Sequence, residues 1–252
     1  MRWQKGRFGC LVRLAWYGML AGPLLTPAGA SPTVDFARGN RVYETCTGLP
    51  QARYESEADP AKQHLSKQAC DKLAAVLDEV KAALPVRAQV FFKDYPFFIM
   101  LGEQSSSGGL RSGMRFVRSG EPSRGNGHDP RWANGIVIYS ADNLLYLSQL
   151  WSRKAVMHEM AHAWHISHWP EKHAVILNAW KASEKRGLYR GVQDVKGARL
   201  DKAYATVNQL EYFAELSAAY FVGINYAPYD RQGLGEYDPG GYRMVEIMWL
   251  QR

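Results

Sequence analysis

The sequence predicts an α+β fold, on two observations. Short runs rich in Val, Ile and aromatic residues, bounded by turn residues, lie before Asn143, and apolar residues at helical spacing dominate after it. Strands first and helices afterwards suit a small sheet with helices packed on one face and a mainly helical C-terminal half. With 252 residues, 46% of them hydrophobic, the chain can fill such a core, and disorder of the whole chain is excluded.

The first residues have a different character. Arg2, Lys5, Arg7 and Arg13 lead into an apolar run from Leu14 to Leu25, and Ala28-Gly29-Ala30 follows. This is the pattern of a secretory signal peptide over residues 1–30, cleaved after Ala30. A membrane span needs about 20 apolar residues. This run is shorter and is broken by Pro23, so no stable membrane anchor is expected after cleavage, and the expected location is secreted or periplasmic. The formal charge of +7 falls with the segment: 27 basic residues then face 24 acidic ones, a net +3. No dense Lys/Arg stripe interleaved with aromatics is present, which argues against a nucleic-acid partner. Cys10 leaves with the signal, and in an exported chain Cys46 and Cys70 predict a disulfide. Closing a loop of about two dozen residues stabilises by about 3 kcal/mol on the chain-entropy argument.

From Ser31 to about Pro60 the sequence is polar and turn-rich without a sustained period, as in a segment that wraps over the body of the fold. Residues 68–84 repeat apolar positions at helical spacing through Leu73, Val76, Leu77, Val80 and Leu84, and Pro85 ends them. Residues 31–84 therefore read as an N-terminal segment with one helix, packed on a main domain of residues 85–252. Within that domain Ala88 to Phe92 and Gly135 to Tyr139 read as strands. Between them the Gly-, Ser-, Arg- and Asn-rich stretch 105–135 reads as a long loop, a functional lid or a mobile segment, with room for one strand at Met114 to Val117. His128 and Asp129, in that polar loop, are expected to face solvent. Helices are predicted over residues 152–167, 173–187, 209–221 and 242–250.

One of these helices carries the chemistry. In VMHEMAHAWH, Val156 to His165, the residues Val156, Met157, Met160, Ala161, Ala163 and Trp164 cover most of the surface, so the helix is expected to be enclosed. Burying His158, Glu159 and His162 there without partners would cost several kcal/mol. A divalent metal compensates, because imidazoles at i and i+4 project from one face and can both reach a tetrahedral Zn²⁺ at about 2.1 Å. Glu159 lies about 100° around the helix, a poor position for a ligand but the right one for a general base beside a zinc-bound water. Zinc lowers the pKa of that water toward about 7, and the carboxylate takes its proton as it attacks a carbonyl carbon.

Two candidates can complete the ligand set. His168 falls where HExxHxxGxxH places a third histidine, although His165 occupies the position of the turning glycine. The alternative is EYFAE, Glu211 to Glu215, in a helix whose Leu210, Phe213, Leu216 and Phe221 suit packing against the first. Its glutamates share one face, so one can ligate while the other accepts a hydrogen bond from the far nitrogen of a ligating histidine. His165, about 10 Å along the axis from His158, is out of reach of the same ion and either lines the cleft or is satisfied by hydrogen bonds. Pro170 favours a helix end by Trp169, which leaves His168 and His173 off the metal face.

HEMAH, followed some fifty residues later by YATVNQLEYFAE and then by EYDPGGYRMVEIMW, resembles the catalytic domain of anthrax lethal factor and the exported bacterial and fungal metallopeptidase-like proteins similar to it. These are HExxH-plus-glutamate zincins, the gluzincins, and the likeness runs from about Gly135 to the end. It implies a zincin-like metallopeptidase domain, a small sheet packed against an active-site helix, with Zn²⁺ as cofactor. It implies His158, His162 and Glu211 as ligands, Glu159 as base and Glu215 as the partner of a ligating histidine. It further implies Tyr204 as the phenol that stabilises the oxyanion or protonates the leaving amine. The expected function is a secreted zinc metallopeptidase acting on a peptide or protein substrate, which could pair along residues 135–141 as an added strand. Two other readings stand beside it: a metal-stabilised binding module or inactive homologue, and a zinc amidase acting on cell-wall material. The sequence sets no oligomeric state.

Overall fold

The computed structural model describes residues 41–56, 59–102, 113–120 and 129–250. The predicted signal segment, His128 and most of the 105–135 stretch lie outside these. In chain order the elements are strands β1 (Tyr43–Cys46) and β2 (Leu49–Glu55), helices α1 (Pro60–Ala83) and α2 (Val86–Phe91), and strands β3 (Phe97–Ile99), β4 (Met114–Val117) and β5 (Gly135–Ile138). Helices α3 (Ala141–Tyr146), α4 (Gln149–His168) and α5 (Ala174–Lys185) follow, then the hairpin strands β6 (Arg190–Gln193) and β7 (Arg199–Lys202). Helices α6 (Gln209–Phe221), α7 (Arg231–Tyr237) and α8 (Pro239–Leu250) complete the chain. The fold is α+β. Its mixed five-stranded sheet has the order β1-β2-β3-β5-β4, with β2, β3 and β5 parallel and an antiparallel strand at each edge.

The described part of the polar N-terminal stretch does not wrap over this sheet; residues 43–55 supply two of its strands. β1 and β2 turn through Thr47 and Gly48, where Gly48 takes a φ of +75° that a side chain would resist. β2 then pairs with β3, placing Ala52 beside Phe97 and Tyr54 beside Ile99. Arg53, between them, is exposed, and such polar alternation in a short strand leaves little sustained hydrophobic signal. The helix predicted from residue 68 begins at Pro60, where the Asp59 carboxylate accepts from the Ala61 N–H at 2.9 Å. Its first turns are largely exposed, so no apolar stripe announces them. Cys70 of α1 and Cys46 of β1 form the expected disulfide, 24 residues apart in the chain.

Ala88 to Phe92 is a correction: the run lies on α2 and is not a strand. Ala88 and Phe92 are fully buried while Val86 and Val90 are exposed, so burial follows the four-residue turn of a helix. A five-residue run cannot distinguish the two periods, and Pro85 at the N-cap starts the helix. β4 and β5 form where expected, and the short strand β3 between α2 and β4 is an addition.

On one face of the sheet Phe98, Met100, Val117, Val137 and Tyr139 pack with Trp132 and, at the margin, Tyr43. The Asp129 side chain is buried rather than solvent-facing. It accepts from Tyr43 Oη at 3.0 Å and from the Arg131 guanidinium and backbone, while Trp132 Nε1 donates to Tyr43 Oη at 2.9 Å. These bonds staple the 129–132 turn to β1. The opposite face, with Phe97, Ile99, Ile136 and Ile138, is buried by the helical layer in which α1 and α4 pack on the strands. α4 also packs along α6, and its C-terminal end is locked by Trp164, stacked on Trp249 of α8 with Nε1 donating to the Met248 carbonyl at 2.9 Å. Among the described residues no helix is long and apolar enough to cross a membrane.

Candidate metal centre

Ser148 caps α4, and the helix runs to His168, with Trp169 already extended. The register places His158 and His162 one turn apart on the side facing α6. On that helix Asn208 is the cap: its Oδ1 accepts from the N–H groups of Leu210 and Glu211 at 2.8 and 3.0 Å, which holds Glu211 in the first turn.

Three ligand-type atoms converge between the two helices. His158 Nε2 lies 2.9 Å from Glu211 Oε2 and 3.0 Å from His162 Nε2, and the third side of the triangle, His162 Nε2 to Glu211 Oε2, is 3.2 Å. Donors bound to one tetrahedral zinc lie about 3.3 Å apart. His158, His162 and Glu211 thus form a group that could hold a metal ion. The donor set supports the fit. His158 Nδ1 is 2.8 Å from Glu215 Oε1, so a neutral imidazole donating to that carboxylate turns a bare lone pair toward the other two. Charge supports it as well: with His158 neutral, the carboxylates of Glu211 and Glu215 outweigh the ammonium of Lys154, leaving net negative charge for a dication to offset. The group is open on one side, since the His162 and Glu211 side chains keep 14% and 18% exposure against 2% for His158.

Without a metal ion the same carboxylates act on a proton. Burial alone would depress the His158 pKa, but hydrogen bonds to Glu211 and Glu215 prevail and hold it up at about 10. The two glutamates respond in kind. Burial opposes ionisation of both, yet the imidazoles hold Glu211 well below the usual carboxylate range, and Lys154 with His158 brings Glu215 to about 2.

Glu159 is buried beside the triangle, close enough for the charges of His158, His162 and Glu211 to act on its carboxylate. Its Oε2 accepts from the Phe116 N–H of β4 at 2.7 Å. Burial raises its pKa, partly offset by the two histidines and by that bond. Tyr204, in the turn before α6, lies across the triangle, its ring 5.7 Å from that of His158 and its hydroxyl bonded to Glu211. Burial, and then the charges of Glu211, Glu159 and Glu215, push the phenol far above its ordinary value, so it remains a donor. His165 does not join these residues: its Nε2 bonds to the Pro170 carbonyl at 3.1 Å, its ring packs on Phe213, and burial depresses its pKa to about 4. His168 is also elsewhere, its Nδ1 2.8 Å from the Trp164 carbonyl.

Sequence reasoning passed over the residues behind Glu215. Its Oε2 accepts from Tyr226 Oη at 2.6 Å and lies 3.0 Å from Lys154 Nζ, which itself donates to Asn225 Oδ1 at 2.8 Å. Residues 225–227 are in turn held by the β6 end of the hairpin, through Val195 N–H to the Asn225 carbonyl at 2.8 Å and Ala227 N–H to the Gln193 carbonyl at 2.9 Å. No one-dimensional signal marks these contacts. The chain matches no protein-family model, and no curated protein matches it.

Proposed function

We propose that the chain is an exported zinc metallopeptidase of the zincin-like, gluzincin type, acting on a peptide or protein substrate. The observation that carries this reading is the triangle of His158, His162 and Glu211, with Glu159 beside it and Tyr204 across it. A closed structural site has no use for a buried carboxylate next to an open side, whereas hydrolysis requires one. Zn²⁺ held there supplies Lewis acidity, lowering the pKa of a water toward about 7 and polarising the scissile carbonyl.

The chain's residues do the rest. Glu159, its pKa raised by burial, accepts the proton of the attacking water and passes it to the leaving amine nitrogen. Tyr204 donates to the carbonyl oxygen as that atom gains charge. Glu215 keeps the proton of His158 on Nδ1.

The expected pairing of substrate with residues 135–141 needs correction, because β5 lies between β3 and β4 and has no free edge. The edge is β4. Its Gly113 and Val117 carbonyls accept from Tyr139 and Asn134 on the β5 side, so alternation turns Phe116 outward. We place an extended substrate along that edge, within reach of Glu159.

The test is zinc quantification with a peptide-library digest of wild type and Glu159→Gln at equal metal loading. Cleavage by wild type and its loss in the variant is expected. Equal cleavage in both ends the role of Glu159, and full metal with no cleavage by either favours a metal-stabilised binding module.

A further inference from the structure

Lys154 places a cation where cations are rarely buried. It lies one turn before His158 on α4, is 8% exposed, and has its ammonium 5.1 Å from the ring centroids of both Trp151 and Tyr226. Desolvating an ammonium is costly unless it is paired, and here the pair is Glu215, at 3.0 Å, with Asn225 Oδ1 accepting a further hydrogen bond. The hydrolytic reaction has no step that needs this lysine.

Its contribution is geometric. A carboxylate has two equivalent oxygens and can offer either one. Lys154 and Tyr226 together occupy Oε2, which leaves Oε1 for His158 Nδ1 and fixes the plane of the imidazole. Nε2 of the same ring is then aimed at His162 and Glu211. We propose that Lys154 is a positioning residue for the metal centre: acting through Glu215, it orients His158 and so sets how tightly His158, His162 and Glu211 hold a divalent cation. The inference rests on reading those three as ligands. A purely electrostatic role has the opposite sign, because an ammonium repels a nearby dication and its removal would tighten binding.

The experiment is Zn²⁺ affinity by chelator competition, at one pH, for wild type, Lys154→Met, Glu215→Gln and the double variant. Groups that orient a metal-bound histidine typically contribute about 10- to 100-fold to affinity. Lys154→Met is expected to bind about tenfold more weakly, at the lower end of that range. The double variant is expected to bind no more weakly than Glu215→Gln, since without the carboxylate Lys154 has nothing to orient. The visible absorption of the Co²⁺-loaded protein is expected to shift in Lys154→Met, which lost stability alone does not cause. Unchanged or tighter Zn²⁺ binding by Lys154→Met, or losses that multiply in the double variant, overturn the inference. If Lys154→Met does not fold, Glu215→Gln against the double variant decides: equal affinities support the inference and a further loss overturns it. A wild type that binds no Zn²⁺ sinks the parent reading, whereas one that binds regardless of Lys154 sinks this inference alone.

Discussion

Zinc uptake should be opposed by protons, with affinity rising about tenfold per unit of pH across the neutral range. The cause is the position of His158 between two carboxylates, with Nδ1 2.8 Å from Glu215 and Nε2 2.9 Å from Glu211. In the metal-free protein these hold the imidazole pKa at about 10, so at neutral pH both ring nitrogens carry protons. Coordination needs Nε2 bare. At pH 7, about three units below that value, stripping the proton opposes binding by about 4 kcal/mol. Glu211, held low, is already ionised and adds no proton to the exchange. The assay is chelator competition at several pH values between about 6 and 9, corrected for the chelator's own protonation. An affinity flat across that range refutes the reasoning.

The same shifts give metal-free stability a defined shape. His158, raised from 6.5, contributes fully below 6.5, and its contribution is lost as pH rises through about 10. Glu215, lowered from 4.5, contributes above 4.5, and that is lost as pH falls through about 2. Melting of chelator-treated protein should therefore peak between these limits.

Two further outcomes test other parts of the molecule. Tyr204→Phe should lower kcat about 100- to 1,000-fold, the effect of removing one oxyanion donor, with zinc content unchanged; steady-state kinetics within twofold of wild type would remove the phenol from the mechanism. Replacing Cys46 and Cys70 together by Ser opens the 24-residue connection and should cost about 3 kcal/mol. For a chain of this size that is a fall in Tm of about 6–12 °C by calorimetry, and an unchanged Tm would show that the bond does not limit stability.

What was legible in the sequence was whatever rests on local spacing. His158, Glu159 and His162 are spaced by the helix itself, and Glu211 and Glu215 repeat that i, i+4 geometry, so each half of the centre could be read on its own. Their meeting, by contrast, depends on how α4 packs along α6, and it was the resemblance that singled out Glu211 and Tyr204. Lys154, Asn225 and Tyr226 were not found, because three distant positions reach one carboxylate only after the chain has folded. In the fold, the long amphipathic helices and the short strands β4 and β5 are legible in the sequence, whereas most other short elements are not. The α2 run reads as a strand, β1, β2 and the β6–β7 hairpin carry too few apolar residues to show a period, and β3, though wholly apolar, is too short to show one.

That hairpin gives the surface a hold on the interior. Its strands are mostly exposed, yet one end secures the backbone of Asn225 and Tyr226, while β7 runs straight into Ala203 and Tyr204. A change made on this outer ribbon, far from any catalytic atom, can therefore reach the imidazole's support and the phenol at the same moment. Variation there should be constrained more tightly than its solvent exposure suggests.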